Sequence, residues 1–500
     1  MRQPVWTLEE ARVADRRAVE AGVAYAGLLS VAGFQLGRFV RSLVPDGPIV
    51  ILTGPGSNGG DGWVAARYLA QFRPVSVIPV AEPRFPEAEN WVRAAKVQGV
   101  RVLEGVAAQT ELSRAALVVD SIYGTGFHGS VMESPAAPWL HQLAGEAVAV
   151  VHTDLPSGVD TNTGQYEGPR LNSLATLAMG GLKWGHVSYP GADQTGSLVI
   201  ADIGLDGPAD AHWIDAHSAR SWMPQVGSLA HKYRRGRVVV VGGSRDMPGA
   251  PFLAAMGALK SGAGIVEVVV PESALGRVTA SAALIVHGVP ESAAGDLVWS
   301  ARLAKHAASA DALVVGPGLG RRSDPRLLLE LMALNRPTVL DADGIRLAAS
   351  LNCALPSRWV MTPHAGEMGA WLNQDAAAVN QNRRGAVLAA VKKAAAPVLL
   401  KGRFSLIGSE GHIWVNPTGD SALATAGSGD VLSGIIARLL AGGLDGPSAL
   451  ALGAYWHGWA GELGGQALGM ALTSVDLWDW IGAAAKRIDQ AEEPHAVRRW

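Results

Sequence analysis

The chain has 500 residues, 48% hydrophobic and 17% charged, a balance that excludes wholesale disorder and suggests about two to four domains. Lysine plus arginine number 42 against 44 aspartate plus glutamate, so no basic excess marks nucleic acid as an obligatory partner. The single cysteine, Cys353, excludes an intrachain disulfide framework and fits a reducing compartment.

In chain order, residues 1–10 lack the apolar core of a secretory signal, and apolar runs such as 238–243 are far shorter than the ~20 residues of a membrane span. A cytoplasmic protein with no membrane partner is expected. Thr7 with Glu10 three residues on forms a capping box and predicts a helix. A second helix is predicted over 26–43, ending before Pro45. Short β-branched runs then alternate with helical ones: strands at 48–54, 74–80, 116–120 and 147–154, helices at 60–70 and 87–98. Runs apolar on both faces and separated by helices predict a parallel sheet covered on both sides, a Rossmann-like three-layer domain. The irregular stretch 206–229, with Gly207, Pro208, Pro224 and Gly227, reads as a boundary, giving domains at 1–222 and 223–500. A second α/β series restarts behind it, with strands at 237–243, 265–270, 311–316, 337–343, 358–363 and 397–402, followed by Ala/Gly/Leu-rich helices.

Glycine-rich loops sit where these strands end. GPGSNGGDG (54–62) should expose backbone N–H groups at a helix start, a site for an anion, but Asp61 inside it argues for more than a phosphate cradle. DSIYGTGFHGS (120–130) and DLPSGVDTNTG (154–164) end two further strands, and in a parallel sheet such loops converge on one crevice. They would bring together Asn58, Asp120, Asp154 and Ser157, oxygen donors suited to a hard cation or a polyol; singly, each also serves as a turn former or cap. Asp154 is the candidate acid/base, and Lys183 either stabilises charge or is an ordinary edge lysine.

TLEEARVADRRAVEAG, GPGSNGGDGWVAARYL, VVDSIYGTGF, TDLPSGVDTNTG and the LKWGH…PGADQTGSLVIADIGL segment together resemble the NAD(P)H-hydrate epimerase domain over nearly all of 7–205. The resemblance implies substrate contacts from Ser57, Asn58, Gly59, Gly60 and Asp61, from Gly124, Thr125, Gly126, Phe127, His128, Gly129 and Ser130, and from Asp154. It implies a potassium ion held by Asn58, Asp120 and Ser157. Where the family more often has Asn, this chain has Ser57.

In the second half, Lys232, Arg234, Arg235 and Arg237 read as a solvated face. VVGPGLG (314–320) is a strand-end glycine loop, and TPHAGE (362–367) puts His364 directly after a strand. ATAGSGDVLSGIIARLLAGG (424–443) carries the sharpest signal. Gly427, Ser428 and Gly429 precede a strongly helical run whose N–H groups would form a hole for phosphoryl oxygens. Asp430 then lies where a base is needed to take an alcohol proton, although a carboxylate there also complements the helix dipole. No GxxxxGK[ST] motif is present, which excludes a P-loop enzyme.

The GSGD loop, KGRFS (401–405) and the βα series resemble the ribokinase-like fold. With GPGLG, DADGI, TPHAGEM, LLKG and ATAGSGD they are similar to the ADP- or ATP-dependent NAD(P)H-hydrate dehydratase over about 229–463. That resemblance implies that Asp430 deprotonates the hydrate's C6 hydroxyl, which attacks the terminal phosphate of ADP. It implies that Ala250, Gly318, His364 and Asp430 touch the hydrate, and that Lys401, Gly402, Arg403, Phe404, Ser405 and Gly429 hold the adenine nucleotide with Mg²⁺. Ser405 and the GSGD loop replace the family's usual Thr and GTGD. The expectation is a two-step repair enzyme for hydrated NADH and NADPH, a homo-oligomer acting on small molecules. The alternatives are a ribokinase-type small-molecule kinase with an accessory nucleotide-binding domain, and a non-catalytic dinucleotide-binding scaffold.

Overall fold

A computed structural model describes residues 3–43, 46–224, 232, 234–278, 281–320, 322–494 and 497–499. They form two compact units, 3–211 with 497–499, and 212–494. The division falls earlier than 222. Ile214 and Ala219 belong to the second unit's core, and Trp222 and Met223 pack against that core. The expected boundary stretch therefore holds ordered elements, strand and helix, up to its residues 225–229, which lie outside the described residues, as do His231 and Tyr233 of the basic segment.

In the first unit, Thr7 and Glu10 form the expected capping box and start the Leu8–Glu20 helix. Strand β1 (Gln3–Trp6) precedes it. The Tyr25–Leu43 helix follows, then β2 (Ile49–Thr53), β3 (Val75–Pro79), β4 (Arg101–Val102), β5 (Leu117–Ser121), β6 (Val150–Thr153), β7 (Ser173–Met179), β8 (Leu182–Lys183) and β9 (Ser197–Ala201). The main sheet runs β9-β7-β6-β5-β2-β3-β4, all parallel, while β1 pairs with β8. Alternation along β2 separates the two cores: Ile49 and Ile51 pack with Val75, Val77, Leu117 and Val119, whereas Val50 and Leu52 pack with Ile78, Val118 and Val150. Helices therefore cover both faces, as the continuous apolar strands require.

One expectation is corrected at the first glycine loop. The helix begins at Ser57, with Gly56 as N-cap, so Gly59, Gly60 and Asp61 are already helical. These glycines serve close approach. A Cβ on Gly59 would stand 2.0 Å from the Gly54 carbonyl oxygen, and one on Gly62 2.8 Å from Ser121 Cβ.

The second unit begins within β10 (Ala211–Trp213) and contains β11 (Arg237–Val241), β12 (Ile265–Pro271), β13 (Ile285–Val289), β14 (Ala312–Val315), β15 (Thr338–Leu340), β16 (Trp359–Met361), β17 (Val398–Leu400), β18 (Leu406–Ser409) and β19 (His412–Val415). Its sheet runs β13-β12-β11-β14-β15-β16-β17-β18-β19. Neighbours are parallel as far as β17, and β17, β18 and β19 then pair antiparallel. The Ala250–Lys260 and Ser428–Ala441 helices press together through glycine. A Cβ on Gly257 would lie 2.3 Å from the Val431 oxygen, and one on Gly434 1.9 Å from the Ala254 oxygen. Finally β20 (Val497–Arg499) returns to the first unit and pairs parallel with β9.

Candidate active sites

In the first unit a cavity of about 570 Å³ opens at the carboxyl ends of β2, β5 and β6. It is lined by Ser57, Asn58, Asp61, the 122–128 segment, Asp154 and Lys183, together with Asp15, Arg12 and Tyr25 from the helices that open the chain. The three loops expected to converge do so.

Asp120 lies beneath this floor, fully buried. Its Oδ2 accepts from His152 Nδ1 at 2.8 Å and from the Ser157 N–H at 3.0 Å; its Oδ1 accepts from Ser157 Oγ at 2.5 Å and the Ile122 N–H at 3.2 Å. Burial alone would raise its pKa, but His152 and Ser157 together bring it below the ordinary aspartate value. Asn58 is brought against the same loop, its Oδ1 3.1 Å from where a Gly124 Cβ would stand, and its Nδ2 is buried without a partner among the described residues. Asp120 and Ser157 thus bond to each other below the cavity, whose lining includes Asn58 but neither of them.

Asp154 stands at the end of β6 in the left-handed region, φ 61°. Its Oδ1 accepts from Lys183 Nζ at 2.5 Å and from the Met179 N–H at 3.0 Å. Lys183 also donates to the Met179 carbonyl at 2.8 Å. His186 fixes the main chain of both residues. Its Nδ1 accepts from the Lys183 N–H at 2.8 Å, so Nε2 carries the proton and donates to the Asp154 carbonyl at 2.6 Å. Burial, with Lys183 adding to it, pulls the His186 pKa down to about 4, and the ring stays neutral.

Lys183 is thereby a partner of Asp154 rather than an edge lysine. Asp61, 8% exposed, is pushed well above the ordinary aspartate range by burial and then by Asp154 and Asp15. Asp15 is raised as well, by burial in the first place. Of the remaining expected contacts, Gly124, Thr125, Gly126, Phe127 and His128 line the cavity. Gly129 and Ser130 line an adjoining one of about 370 Å³, where Ser130 also caps the Val131–Glu133 turn. Gly59 and Gly60 serve helix packing. Asp15, Tyr25, His152 and His186 were missed from sequence. Only the pattern Lys183-x-x-His186, both within the quoted LKWGH, could have pointed to one of them.

In the second unit the carboxyl ends of β15, β16 and β17 bring Asp341, Glu367 and Lys401 together. Lys401 Nζ lies 2.8 Å from Asp341 Oδ1 and 3.6 Å from Glu367 Oε2. A Cβ on Gly429 would stand 3.3 Å from Lys401 Nζ, so the GSGD turn closes on the same ammonium. Asp430 is the third residue of the Ser428–Ala441 helix, capped by Gly427 at φ 87°. Its pKa is raised to about 8, first by burial and then by Asp341, with Glu367 and Asp343 adding and Lys401 opposing. His457, drawn down to about 4 by burial, is neutral and meets the Ser428 carbonyl through Nε2 at 2.9 Å, which pins the turn.

Ala250 begins its helix, and a Cβ on Gly318 (φ 65°) would lie 3.2 Å from Ala250 Cβ, so these two expected contacts are adjacent. His364 is the N-cap of the Ala365–Leu372 helix: its Nδ1 accepts from Gly366 and Glu367 N–H groups, and its side chain stays 53% exposed. In the KGRFS turn, Ser405 Oγ donates to the Gly402 carbonyl at 2.8 Å and the Arg403 carbonyl accepts from Arg383 at 2.6 Å. Phe404 is buried, 5.8 Å from Trp213, and supports the turn from below. Asp341, Asp343 and Glu367 received no role from sequence, although DADGI and TPHAGE contain them.

Comparisons with known proteins cover both units. A family model described as NAD(P)H-hydrate dehydratase matches residues 238–482, and one described as YjeF-related protein N-terminus matches 26–185. The bifunctional NAD(P)H-hydrate repair enzyme Nnr of Moorella thermoacetica is 37% identical over 499 residues, 94% of this chain and 92% of that protein. The protein of the same name from Pyrobaculum aerophilum is 31% identical over 96% of this chain and 97% of its own length. A solved Bacillus subtilis ADP/ATP-dependent NAD(P)H-hydrate dehydratase, co-crystallized with ATP/Mg²⁺, shares 26% identity, covering 55% of this chain and 97% of that chain with a TM-score of 0.47. With relatives matched from end to end across both units, the chain belongs to the family of bifunctional NAD(P)H-hydrate repair enzymes.

Proposed function

We propose that the first unit interconverts the R and S hydrates of NADH and NADPH and that the second dehydrates the S form, consuming ADP or ATP. The observation that carries this reading is Asp430, a carboxylate raised to about 8 by burial and by Asp341, near the Lys401 ammonium and directly behind a glycine turn. Such a group is poised near operating pH as a general base.

In the second unit Asp430 takes the proton of the C6 hydroxyl, and the oxygen attacks the terminal phosphorus of the nucleotide. The N–H groups that open the Ser428–Ala441 helix face the phosphoryl oxygens, and Lys401 balances their charge. Hydroxide is a poor leaving group and phosphate a good one. The ring nitrogen's lone pair expels phosphate from C6, and loss of a C5 proton restores the dihydropyridine. With ADP the products are AMP, phosphate and the reduced dinucleotide. Mg²⁺ would accompany the nucleotide and supply charge neutralisation on its phosphates.

In the first unit, epimerisation requires the C6 hydroxyl to leave and return from the other face. Asp61, its pKa raised well above the ordinary range by burial, delivers a proton to the departing oxygen, and Asp154, paired with Lys183, takes one from the returning water. Asn58, Asp120 and Ser157 are the residues that would hold potassium, whose charge would anchor the loops beneath the substrate. The relatives' match to both units favours this reading over a kinase with an accessory domain. The test follows the reduced-nicotinamide absorbance after mixed epimers are supplied with ADP or ATP. Full return of the band is expected, Asp430→Ala should stop it while epimer exchange continues, and retained dehydration in that variant would remove Asp430 as base.

A further inference from the structure

We infer that the second unit carries a site for a divalent transition cation of the zinc class, built from Glu267, His287 and His306. The three come from separate rigid elements: β12, β13 and the Ala301–Ala308 helix. Both imidazoles turn a nitrogen to one carboxylate oxygen. His287 Nε2 lies 3.0 Å and His306 Nδ1 3.2 Å from Glu267 Oε2, and the three donor atoms fall within 4.8 Å of one another. A tetrahedral zinc ion with bonds of about 2.0–2.1 Å sets neighbouring donors about 3.3 Å apart, so the carboxylate-to-imidazole separations already match two edges of that polyhedron.

The surroundings are those of a ligand set. Glu267 is 6% exposed, and Arg237 Nε lies 3.5 Å from its other oxygen, which orients the carboxylate and leaves Oε2 to the imidazoles. The side chains of His287 and His306 are 20% and 18% exposed, enough for an ion to enter and a water to complete the shell. The rings stack at 3.6 Å with 23° between their planes; closing on a single ion turns both out of that stack. Glu267 is in the amino-terminal half of its strand, whereas the catalytic carboxylates follow strand ends, so the ion ties edge strand β13 and a covering helix to β12 and takes no part in dehydration.

The experiment uses the full chain without an affinity tag, stripped with chelator and titrated with Zn²⁺ alone and Co²⁺ alone. One saturating equivalent, visible Co²⁺ ligand-field bands and a Tm that rises with Zn²⁺ are expected. Glu267→Gln and His306→Ala should each weaken binding at least about tenfold and remove the Co²⁺ bands. Circular dichroism checks folding; should the buried Glu267→Gln variant unfold, His306→Ala, on the more exposed ligand, decides alone. The absence of a one-equivalent site in the parent chain, or unchanged affinity in folded His306→Ala, overturns the assignment.

Discussion

With Asp430 as the proposed base, the dehydration rate should follow the titration of one carboxyl with a pKa of about 8. Such a group is ionised to about one part in ten at pH 7 and nine parts in ten at pH 9, so kcat/KM for the hydrate should rise close to tenfold across that interval. Two substitutions then move the curve in opposite directions. Asp341 is the largest charge raising the Asp430 pKa, so Asp341→Asn should shift the rising limb to lower pH. Lys401 is the charge opposing it, so Lys401→Gln should shift the limb higher even as it weakens nucleotide binding. The assay is the return of reduced-nicotinamide absorbance from pure S hydrate at saturating nucleotide, at half-unit steps from pH 6.5 to about 9.5. A flat profile, or both variants moving the limb the same way, would refute the reasoning.

Asp154→Asn should abolish exchange between the epimers while ADP-dependent loss of the S form proceeds at the parent rate, as followed by chromatography of the two hydrates; epimer exchange at the parent rate would remove Asp154. Gly434→Ala places a methyl 1.9 Å from the Ala254 carbonyl oxygen and should destabilise the second unit by about 1–3 kcal/mol or more, read as a lower calorimetric Tm. Asp430→Asn should stabilise the fold increasingly with pH. The folded carboxyl titrates at about 8 and the unfolded one near 3.9, so the parent loses stability as pH rises between those values and the amide does not. Denaturation at pH 5 and pH 8 measures this, and an equal gain at both would contradict it.

Strand–helix alternation was legible because parallel strands covered on both faces leave uninterrupted runs such as Val238–Val241. Less of the sheet edges was legible. In β13, IVHGV breaks its apolar run with His287 and Gly288, whose partners lie in distant elements. The antiparallel pair β18 and β19 is short, and its turn carries Glu410 and Gly411 at positive φ without a familiar turn dipeptide. At the sites, glycine-plus-aspartate loops marked the strand ends correctly, since only small residues permit such close approach there. Sequence could not tell a glycine that cradles a ligand from one that lets a helix touch a carbonyl, and Gly59 is of the second kind. Nor could it reveal Asp15, Asp341 or Glu367 as charge neighbours, because their effect on Asp61 and Asp430 arises only when remote segments fold together.

The parallel pairing of β20 with β9 means that the entire second unit is spliced into the first unit's covalent path. During translation the sheet that holds the epimerase cleft acquires its outermost rung only after every dehydratase residue has left the ribosome. Genetic separation of the two activities near the junction would hence strand three residues of one catalyst on the other, and a stand-alone first half would present β9 as a bare edge to its neighbours.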